Sequence, residues 1–247
     1  MNYLIVGASS GLGRDLAYIL SKNAHNLILL SRDLRDLAAV KSDLETKFDT
    51  KVTTYSVDLA SKNSVINFLD NSEIEFSLID GVLFPVGMMS NDDFITKIND
   101  NVDQINNANF LSIVHFLEKM IPIFNKKNAG VVIGFGSIAS SLGRKKNVLY
   151  SAAKRALNSY FESLSVTYEN SNIKIQFYIL GYLDTNLAFD EKLNLPKAST
   201  KILAAEVFKN MKKNNLNKYY PSWWALISYF ISLIPFFVIK KLFKFIK

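Results

Sequence analysis

The chain contains no cysteine, and this absence excludes disulfide bonds, a cysteine-ligated zinc ion and a cysteine nucleophile. Histidine is scarce as well: His25 and His115 are 90 residues apart in the sequence, so we predict no metal site. The sequence also lacks a zinc-finger or RNP-like pattern, and its net charge of +7 therefore does not predict nucleic-acid binding. An anionic membrane surface is the partner that remains consistent with this charge.

The composition is that of a folded chain. Hydrophobic residues make up 49% and charged residues 21% of the sequence, and 247 residues suffice for one large α/β domain. No signal peptide precedes the first predicted strand, because residues 3–6 are already strand-like. We therefore expect a cytoplasmic protein.

Short apolar runs alternate with amphipathic helical patterns along most of the chain. This alternation is typical of βαβ units and predicts an α/β fold of the Rossmann type, a doubly wound parallel sheet with helices on both faces. The predicted strands cover about 2–7, 26–30, 51–57, 78–84, 130–134 and 173–180. The predicted helices cover about 11–23, 34–48, 61–69, 101–124, 148–170 and 199–214.

A glycine-rich turn links the first predicted strand to the first predicted helix. Its glycines let the backbone come close to a pyrophosphate, and the helix that follows offers free N–H groups and the positive end of its dipole. The sequence therefore predicts a dinucleotide site formed by Gly7, Ser9, Ser10, Gly11, Leu12 and Gly13.

Arg32 follows the second predicted strand, about twenty residues after the glycine turn. In a dinucleotide fold an acidic residue at this place binds the ribose 2′-OH of NAD, whereas an arginine accommodates the 2′-phosphate of NADP. We therefore predict NADP(H) rather than NAD(H). The alternative is that Arg32 is a solvated loop charge.

A serine, a tyrosine and a lysine follow the fifth predicted strand. Tyr150 and Lys154 are spaced i and i+4, which puts both side chains on one helix face about 5–6 Å apart at Cβ. A phenol has a pKa of about 10, and a nearby ammonium lowers it, so the pair can exchange a proton with a carbonyl or alcohol oxygen. Ser137 could hold that oxygen. The alternative is a half-buried tyrosine beside a solvated lysine.

Together these residues resemble the short-chain dehydrogenase/reductase family over about residues 2–221. Gly7, Gly11 and Gly13 match the family's glycine turn, with Val6 in place of its threonine. The spacing of Ser137, Tyr150 and Lys154 is the family's own. The resemblance implies a Rossmann-type reductase domain over residues 1–221, followed by a tail over residues 222–247.

The resemblance adds a fourth catalytic residue and several cofactor contacts. Asn109 lies thirteen residues before Pro122, as the family's catalytic asparagine lies before its helix-ending proline. There the asparagine kinks the helix and anchors a water that leads to the lysine. The cofactor contacts implied by the resemblance also include Asp58 at the adenine, Thr185 at the nicotinamide amide, and Leu59, Gly87, Leu183, Tyr150 and Lys154.

Two motifs depart from the family pattern. The family's N-N-A-G after the fourth strand is here Phe84-Pro85-Val86-Gly87, so both asparagines that make sheet contacts in the family are replaced and the glycine is kept. The family's P-G turn is here Leu180-Gly181, so the proline is lost. Neither departure removes a catalytic group.

The implied mechanism is hydride transfer between a nicotinamide and a substrate carbon, in the direction of ketone to alcohol. Tyr150 would protonate the developing alkoxide, Ser137 would position the oxygen, and Lys154 would lower the tyrosine pKa and hold the ribose. Asn109 would support the proton relay. Family members are usually dimers or tetramers, and we expect the interface on the helices predicted over 101–124 and 148–170.

The last thirty residues lie outside the usual catalytic core. Residues 223–239 carry no charge, and the segment 240–247 combines lysines with apolar residues. A straight helix of this uncharged run would span about 26 Å, less than the ~30 Å hydrocarbon core, and Pro235 would kink it. A spanning tail would also place its lysines outside, against the positive-inside tendency. We therefore predict an interfacial anchor on the inner face of a membrane.

Several alternatives stay open at this stage. The tail could instead be a core or dimer helix that closes the substrate pocket. Its pattern around Tyr220-Pro221 and Trp224 is similar to tails of bacterial reductases of lipid-linked sugar and envelope metabolism, which implies a lipidic or lipid-linked ketone. The substrate could also be a soluble sugar or an acyl thioester. A different class of function is a catalytically idle nucleotide-binding sensor or scaffold.

The predicted substrate pocket would be shaped by Met88, Met89, Leu142, Tyr182 and a loop over 186–198.

Overall fold

The computed structural model of the chain describes residues 1–90, 93, 101–143, 146–184, 197–214 and 216–245. These residues form a parallel β-sheet with helices on both faces. The sheet contains seven strands within this part of the chain, in the order β3-β2-β1-β4-β5-β6-β7. The strands are β1 (Asn2–Val6), β2 (Asn26–Ser31), β3 (Val52–Ser56), β4 (Gly81–Phe84), β5 (Gly130–Ser137), β6 (Ile173–Leu180) and β7 (Leu216–Tyr220).

The helices connect the strands and cover both faces of the sheet. They are α1 (Gly11–Lys22), α2 (Leu34–Lys47), α3 (Lys62–Asn71), α4 (Val102–Asn106), α5 (Ser112–Lys127), α6 (Val148–Thr167), α7 (Thr200–Asn210), α8 (Trp223–Leu233) and α9 (Phe236–Phe245). A π-helical turn over Asn107–Leu111 joins α4 to α5.

Alternate residues of β1 face opposite sides of the sheet, as the period of a strand requires. Tyr3 and Ile5 pack in one apolar cluster with residues of α1, α2 and α7. Leu4 and Val6 pack in a second cluster with residues of α3, α5 and α6. Burial on both faces explains why β1 is a continuous apolar run. The predicted doubly wound α/β fold is confirmed.

Two features of the fold differ from the prediction. Strand β7 was not predicted, because Leu216–Tyr220 pairs with β6 at the sheet edge and its sequence L-N-K-Y-Y is not an apolar run. The single helix predicted over 101–124 is divided by the π-helical turn into α4 and α5, and α5 continues to Lys127. The last turn is held by Phe124, which is fully buried and packs so closely on Gly130 that a Cβ there would lie 2.4 Å from the Phe124 ring.

The tail forms two short helices rather than one. Helix α8 has eleven residues and α9 has ten, with a break at Ile234 and Pro235. A proline lacks the N–H that an unbroken helix would need there, so the predicted kink is a full interruption. Within the described residues, neither these nor any other helix has the length and apolar character needed to cross a bilayer.

Candidate active site

A cavity of about 610 Å³ opens at the carboxyl ends of the central strands. It lies where the strand order reverses between β1 and β4, which is the crevice that binds ligands in open α/β sheets. Its walls come from the turn after β1, the segment after β4, the end of β5, the start of α6 and the segment after β6. The predicted site residues that line it are Ser10, Gly11, Leu12, Gly87, Ser137, Tyr150, Lys154 and Leu183.

The glycine turn is built for close approach of the backbone. Gly7 has φ +94°, in the left-handed region that glycine tolerates. Gly13 packs directly on the turn, because a Cβ there would lie 1.9 Å from the carbonyl oxygen of Gly7. The side chain of Ser10, the N-cap residue of α1, makes no capping hydrogen bond, and Ser10, Gly11 and Leu12 at that end line the cavity. This end of α1 therefore offers N–H groups to an anion, as a dinucleotide pyrophosphate requires.

Lys154 is the most deeply buried cation of the site, with 2% of its surface exposed. Its Nζ donates to the carbonyl oxygens of Val86 at 2.8 Å and Phe135 at 3.0 Å. Burial disfavours the charged form and lowers the pKa of Lys154 to about 7. A strongly shifted titratable group in a cleft is typical of functional sites.

Tyr150 and Ser137 lie in the same cavity as Lys154. The Nζ of Lys154 is 6.0 Å from the centre of the Tyr150 ring, as expected for one face of a helix. Ser137 is the last residue of β5, and its Oγ accepts a hydrogen bond from the backbone N–H of Ala139 at 3.1 Å. The structure thus brings together the hydroxyl, the phenol and the ammonium that the sequence analysis selected.

Asn109 lies outside the cavity lining but is fully buried behind it, in the π-helical turn. Its Oδ1 accepts from the backbone N–H of Met88 at 3.0 Å, and its Nδ2 donates to the carbonyl oxygens of Met88 and Ile105, both at 2.8 Å. Asn109 therefore ties the segment after β4 to the helix. That segment also supplies the Val86 carbonyl that binds Lys154.

Asp93 is a site neighbour that the sequence analysis missed. Its buried carboxylate accepts hydrogen bonds from the backbone N–H groups of Leu149 and Tyr150, at the start of α6. No local pattern could reveal this contact, because more than fifty residues separate the partners. The carbonyls that bind Lys154 are equally invisible in sequence, since every residue has one.

The rim of the cavity contacts the tail. Gly181 follows β6 and lines the cavity, and a Cβ at this position would lie 2.1 Å from Nε1 of Trp224 in α8. The ring of Trp224 also lies 6.1 Å from that of Tyr182, another lining residue. Only a glycine at position 181 leaves room for this tryptophan.

Comparison with known proteins agrees with this geometry. The family model described as short chain dehydrogenase matches residues 2–195. The chain belongs to the short chain dehydrogenase family. As a member of that family it is a nucleotide-binding oxidoreductase that uses NAD(P) and acts on CH–OH or C=O groups of small molecules.

Individual relatives of this short chain dehydrogenase are distant. An NADP-dependent 3-hydroxy acid dehydrogenase of Schizosaccharomyces pombe is 27% identical over 187 residues, which cover 75% of this chain and 72% of that protein. A very-long-chain 3-oxoacyl-CoA reductase of Vanderwaltozyma polyspora is 26% identical over 224 residues, which cover 85% of this chain but only 63% of the relative.

Among solved structures, a short-chain dehydrogenase from Sphingobium yanoikuyae in complex with NADPH superimposes with a TM-score of 0.79. Its sequence is 20% identical, and the match covers 95% of this chain and 96% of that chain. At this identity the likeness shows the fold alone.

The other predicted cofactor residues that the structure describes are not among the residues that line the cavity of this short chain dehydrogenase. Ser9 accepts a hydrogen bond from the Ser31 hydroxyl at 2.8 Å, which ties the glycine turn to the end of β2. Asp58 accepts from the backbone N–H of Ala60 at 3.0 Å, and Leu59 packs against the second apolar cluster. Arg32 is exposed just after β2.

The far wall of the site is described in part. Leu183 forms an isolated parallel bridge with Ala198, and Asp184 Oδ1 accepts from the backbone N–H of Thr200 at 2.8 Å. Thr185 and most of the loop predicted over 186–198 lie outside the described residues. Of the predicted pocket residues, Met89 and Tyr182 line the cavity, whereas Met88 and Leu142 are not among the described lining residues.

Proposed function

We propose that this chain is an NADPH-dependent ketoreductase that converts a carbonyl group to a secondary alcohol. The observation that carries the proposal is the placement of Ser137, Tyr150 and buried Lys154 in one cavity that also contains the N-terminus of α1. This arrangement combines a proton donor with a phosphate site. Asn109 completes the proposed catalytic set from behind the cavity.

The glycine turn and Lys154 fit a nicotinamide dinucleotide. The uncapped N-terminus of α1 would hold the pyrophosphate, and Gly7 and Gly13 keep side chains out of its path. Lys154 would hold the nicotinamide ribose, beside Gly87, Leu183 and Thr185. Asp58 and Leu59 would contact the adenine. When bound, the reduced cofactor supplies the hydride that the carbonyl carbon accepts.

The side chains of the cavity then handle the substrate oxygen and its proton. The hydroxyl of Ser137 donates a hydrogen bond to the carbonyl oxygen and orients it. Tyr150 donates its phenolic proton to that oxygen as negative charge develops. Protonated Lys154 favours the resulting phenolate, and Asn109 keeps the lysine's carbonyl partner in place through Met88.

Tyr150→Phe tests the chemical step. We expect kcat to fall by about 10²–10⁴, since general acid catalysis contributes that much, while the dissociation constant of NADPH changes less than about threefold. The assay follows NADPH consumption with a panel of a steroid ketone, a 3-oxoacyl thioester, a ketose and a long-chain ketone. An idle sensor or scaffold would instead bind NADPH, turn over no carbonyl and show no effect of the substitution.

Arg32 supports the choice of NADPH over NADH, because it is exposed at the end of β2 where a 2′-phosphate would lie. Fluorescence titration of both cofactors tests this choice in wild type and in Arg32→Asp. The matched control is Lys51→Asp, which makes the same charge change at the amino-terminal end of the neighbouring strand β3, whereas Arg32 follows the carboxyl end of β2. We expect tight NADPH binding that collapses only in Arg32→Asp, whereas equal affinity for NADH would make Arg32 a surface charge.

The substrate we favour is apolar and resident in or near a membrane, with a soluble sugar or acyl thioester as the alternative. The exposed face of α8 and the start of α9 supports this. The apolar residues exposed there are Trp223, Leu226, Ile227, Tyr229, Phe230, Leu233, Phe236 and Phe237, and we call them the tail face. After Glu206 the sequence contains eight lysines and no acidic residue. We propose that the tail face enters an anionic lipid surface at the inner side of a membrane.

Two organisational proposals accompany this function. Residues 1–221 form the NADP-binding reductase domain, and residues 222–247 form the membrane-associating tail. The chain assembles as a homodimer or homotetramer through α5 and α6, where Leu111, beside α5, and Val166 are exposed apolar residues. Light scattering coupled to size-exclusion chromatography measures the assembly, and a monomer at micromolar concentration would contradict it.

A further inference from the structure

The helix that carries Tyr150 and Lys154 does not cap its own N-terminus. The residue before α6, Asn147, has φ +59°, and its side chain makes no capping hydrogen bond. A helix leaves its first N–H groups unpaired unless an outside acceptor takes them. In α6 that acceptor comes from a distant part of the chain.

Asp93 supplies the missing acceptors. Its two carboxylate oxygens accept from the N–H groups of Leu149 at 2.9 Å and of Tyr150 at 3.0 Å. Its backbone carbonyl also accepts from the N–H of Asn147 at 2.7 Å. Only 2% of the Asp93 surface is exposed, so these hydrogen bonds form away from water.

Tyr150 and Lys154 are therefore held by different parts of the structure. Lys154 is fixed through its own Nζ by the carbonyls of Val86 and Phe135. Tyr150 lies in the first turn of α6, and the Asp93 carboxylate bonds directly to its backbone N–H. Loss of that bond would release the first turn, and hence the phenol, without releasing the lysine.

We propose that Asp93 is a positioning residue, which fixes the Tyr150 phenol relative to Lys154 and the substrate oxygen. The inference rests on the proposed role of Tyr150 as proton donor. A reacting group that moves by about 1 Å can cost about 10²-fold in rate, so the capping bond matters for chemistry beyond its effect on stability.

A double-mutant cycle separates positioning from a merely structural role. Asp93→Ala in wild type should lower kcat at least tenfold, with NADPH affinity and KM changed less than about threefold. In a Tyr150→Phe background the same substitution should have almost no further effect, because the group it positions is gone. Asp93→Asn keeps one acceptor oxygen and should recover part of the lost kcat. This variant replaces Asp93→Ala in the cycle if the alanine variant folds poorly.

The matched control is Glu45→Ala. Glu45 also accepts a backbone N–H, that of Val52 at 2.9 Å, but at the opposite edge of the sheet. This variant should keep wild-type kcat. Equal losses from Asp93→Ala with and without the Tyr150 hydroxyl would overturn the proposal, and so would full activity of Asp93→Ala.

Hydrogen exchange gives a readout that does not depend on turnover. In Asp93→Ala the amides of Leu149 and Tyr150 should exchange at least tenfold faster, while the β5 amides keep their protection. If wild type reduces no ketone but these amides lose protection, the proposed function fails and the capping contact stands. If wild type is active and the amides exchange at the wild-type rate in the variant, the positioning inference fails alone.

Discussion

The pKa of Lys154 is set by the surroundings of this one side chain. Its amine is sequestered from water and bonded to two backbone carbonyls, and its pKa is lowered to about 7 by burial. In the unfolded chain the same amine has a pKa of about 10.4. Between these values the unfolded chain binds one proton more than the folded protein, so the free energy of unfolding rises with pH in that window.

Lys154→Met should remove this pH dependence from the ligand-free protein. Measured by denaturant titration from pH 7 to pH 10, the stability of wild type relative to the variant should increase by up to about 1.4 kcal/mol per pH unit. Below pH 7 the difference should level off, because the lysine is then protonated in both states. Lys51→Met, at an exposed lysine, is the control. Parallel stability curves for wild type and Lys154→Met would contradict the burial argument.

For single residues, the sequence predicts which side chains share the cavity but not which hydrogen-bond partners hold them in place. The i, i+4 spacing of Tyr150 and Lys154 was sufficient to place both on one face, and the structure brings Ser137 into the same cavity. The contacts of Asp93 with α6 depend on tertiary folding across more than fifty residues. The binding of Lys154 by backbone carbonyls has no residue-type signature at all.

The π-helical turn is the element in which local conformation and site geometry are most closely linked. A π-turn inserts an extra residue in the helical ladder and is common at functional sites. Here it contains Asn109, whose amide binds both backbone groups of Met88. An asparagine that looks out of place in a helix thus holds the backbone of the segment after β4.

Asn109→Leu should destabilise the protein by about 2–6 kcal/mol, because it leaves the N–H and C=O of Met88 without their partner at about 1–3 kcal/mol each. Chemical unfolding measures this loss. Asn106→Leu is the control, since Asn106 is at the surface and, among the described residues, its side chain bonds the Val102 carbonyl of its own helix. That variant should stay within about 0.5 kcal/mol of wild type. Equal effects at the two positions would refute the role assigned to Asn109.

The close packing of the glycine turn leads to a second prediction at the level of the structural elements. Gly13→Ala should abolish NADPH binding and lower the melting temperature, because its Cβ would clash with the Gly7 backbone rather than with a movable side chain. Gly143→Ala is the matched control, since no atom of the described residues lies within 4 Å of a Cβ built there. Fluorescence titration and thermal unfolding of both variants check the outcome. Normal binding by Gly13→Ala would show that the turn opens.

Strands and helices with a clear apolar sequence pattern were predictable. Those that form because of contacts with neighbouring elements were not. The buried run of β1 was identified from its residues alone. The edge strand β7 has a mixed sequence and exists because β6 offers it a hydrogen-bonding edge. The helix predicted to end at residue 124 continues to Lys127, because buried Phe124 secures its last turn.

On the scale of the whole molecule, the tail face contains eight of the 15 large apolar residues that are exposed within the described part of the chain. A double substitution, Phe230→Ser with Phe237→Ser, should reduce sedimentation with vesicles of anionic phospholipid at least fivefold, because two aromatic anchors are lost. The control pair is Val166→Ser with Ile202→Ser, which removes two exposed apolar residues elsewhere.

Salt and lipid charge refine this test. Binding should weaken as ionic strength rises and should be poor on neutral vesicles, since lysines attract the anionic headgroups. If both double variants bind vesicles as wild type does, the tail face is not the lipid contact. If Phe230→Ser with Phe237→Ser instead converts a dimer to a monomer without changing vesicle binding, a second copy of the chain covers this face.

The seating of Trp224 under Gly181 has a practical consequence for anyone who prepares this protein. Truncation of the chain before Trp223 would remove the exposed apolar tail and so improve solubility. It would also remove the Trp224 indole, which packs against Gly181 and Tyr182 at the rim of the cavity. Poor turnover by the shortened protein would then report a damaged pocket and nothing about membranes. A full-length chain that keeps Trp224 and Ser228, the inward side of α8, and replaces only outward residues is the preparation from which solubility and catalysis can be judged separately.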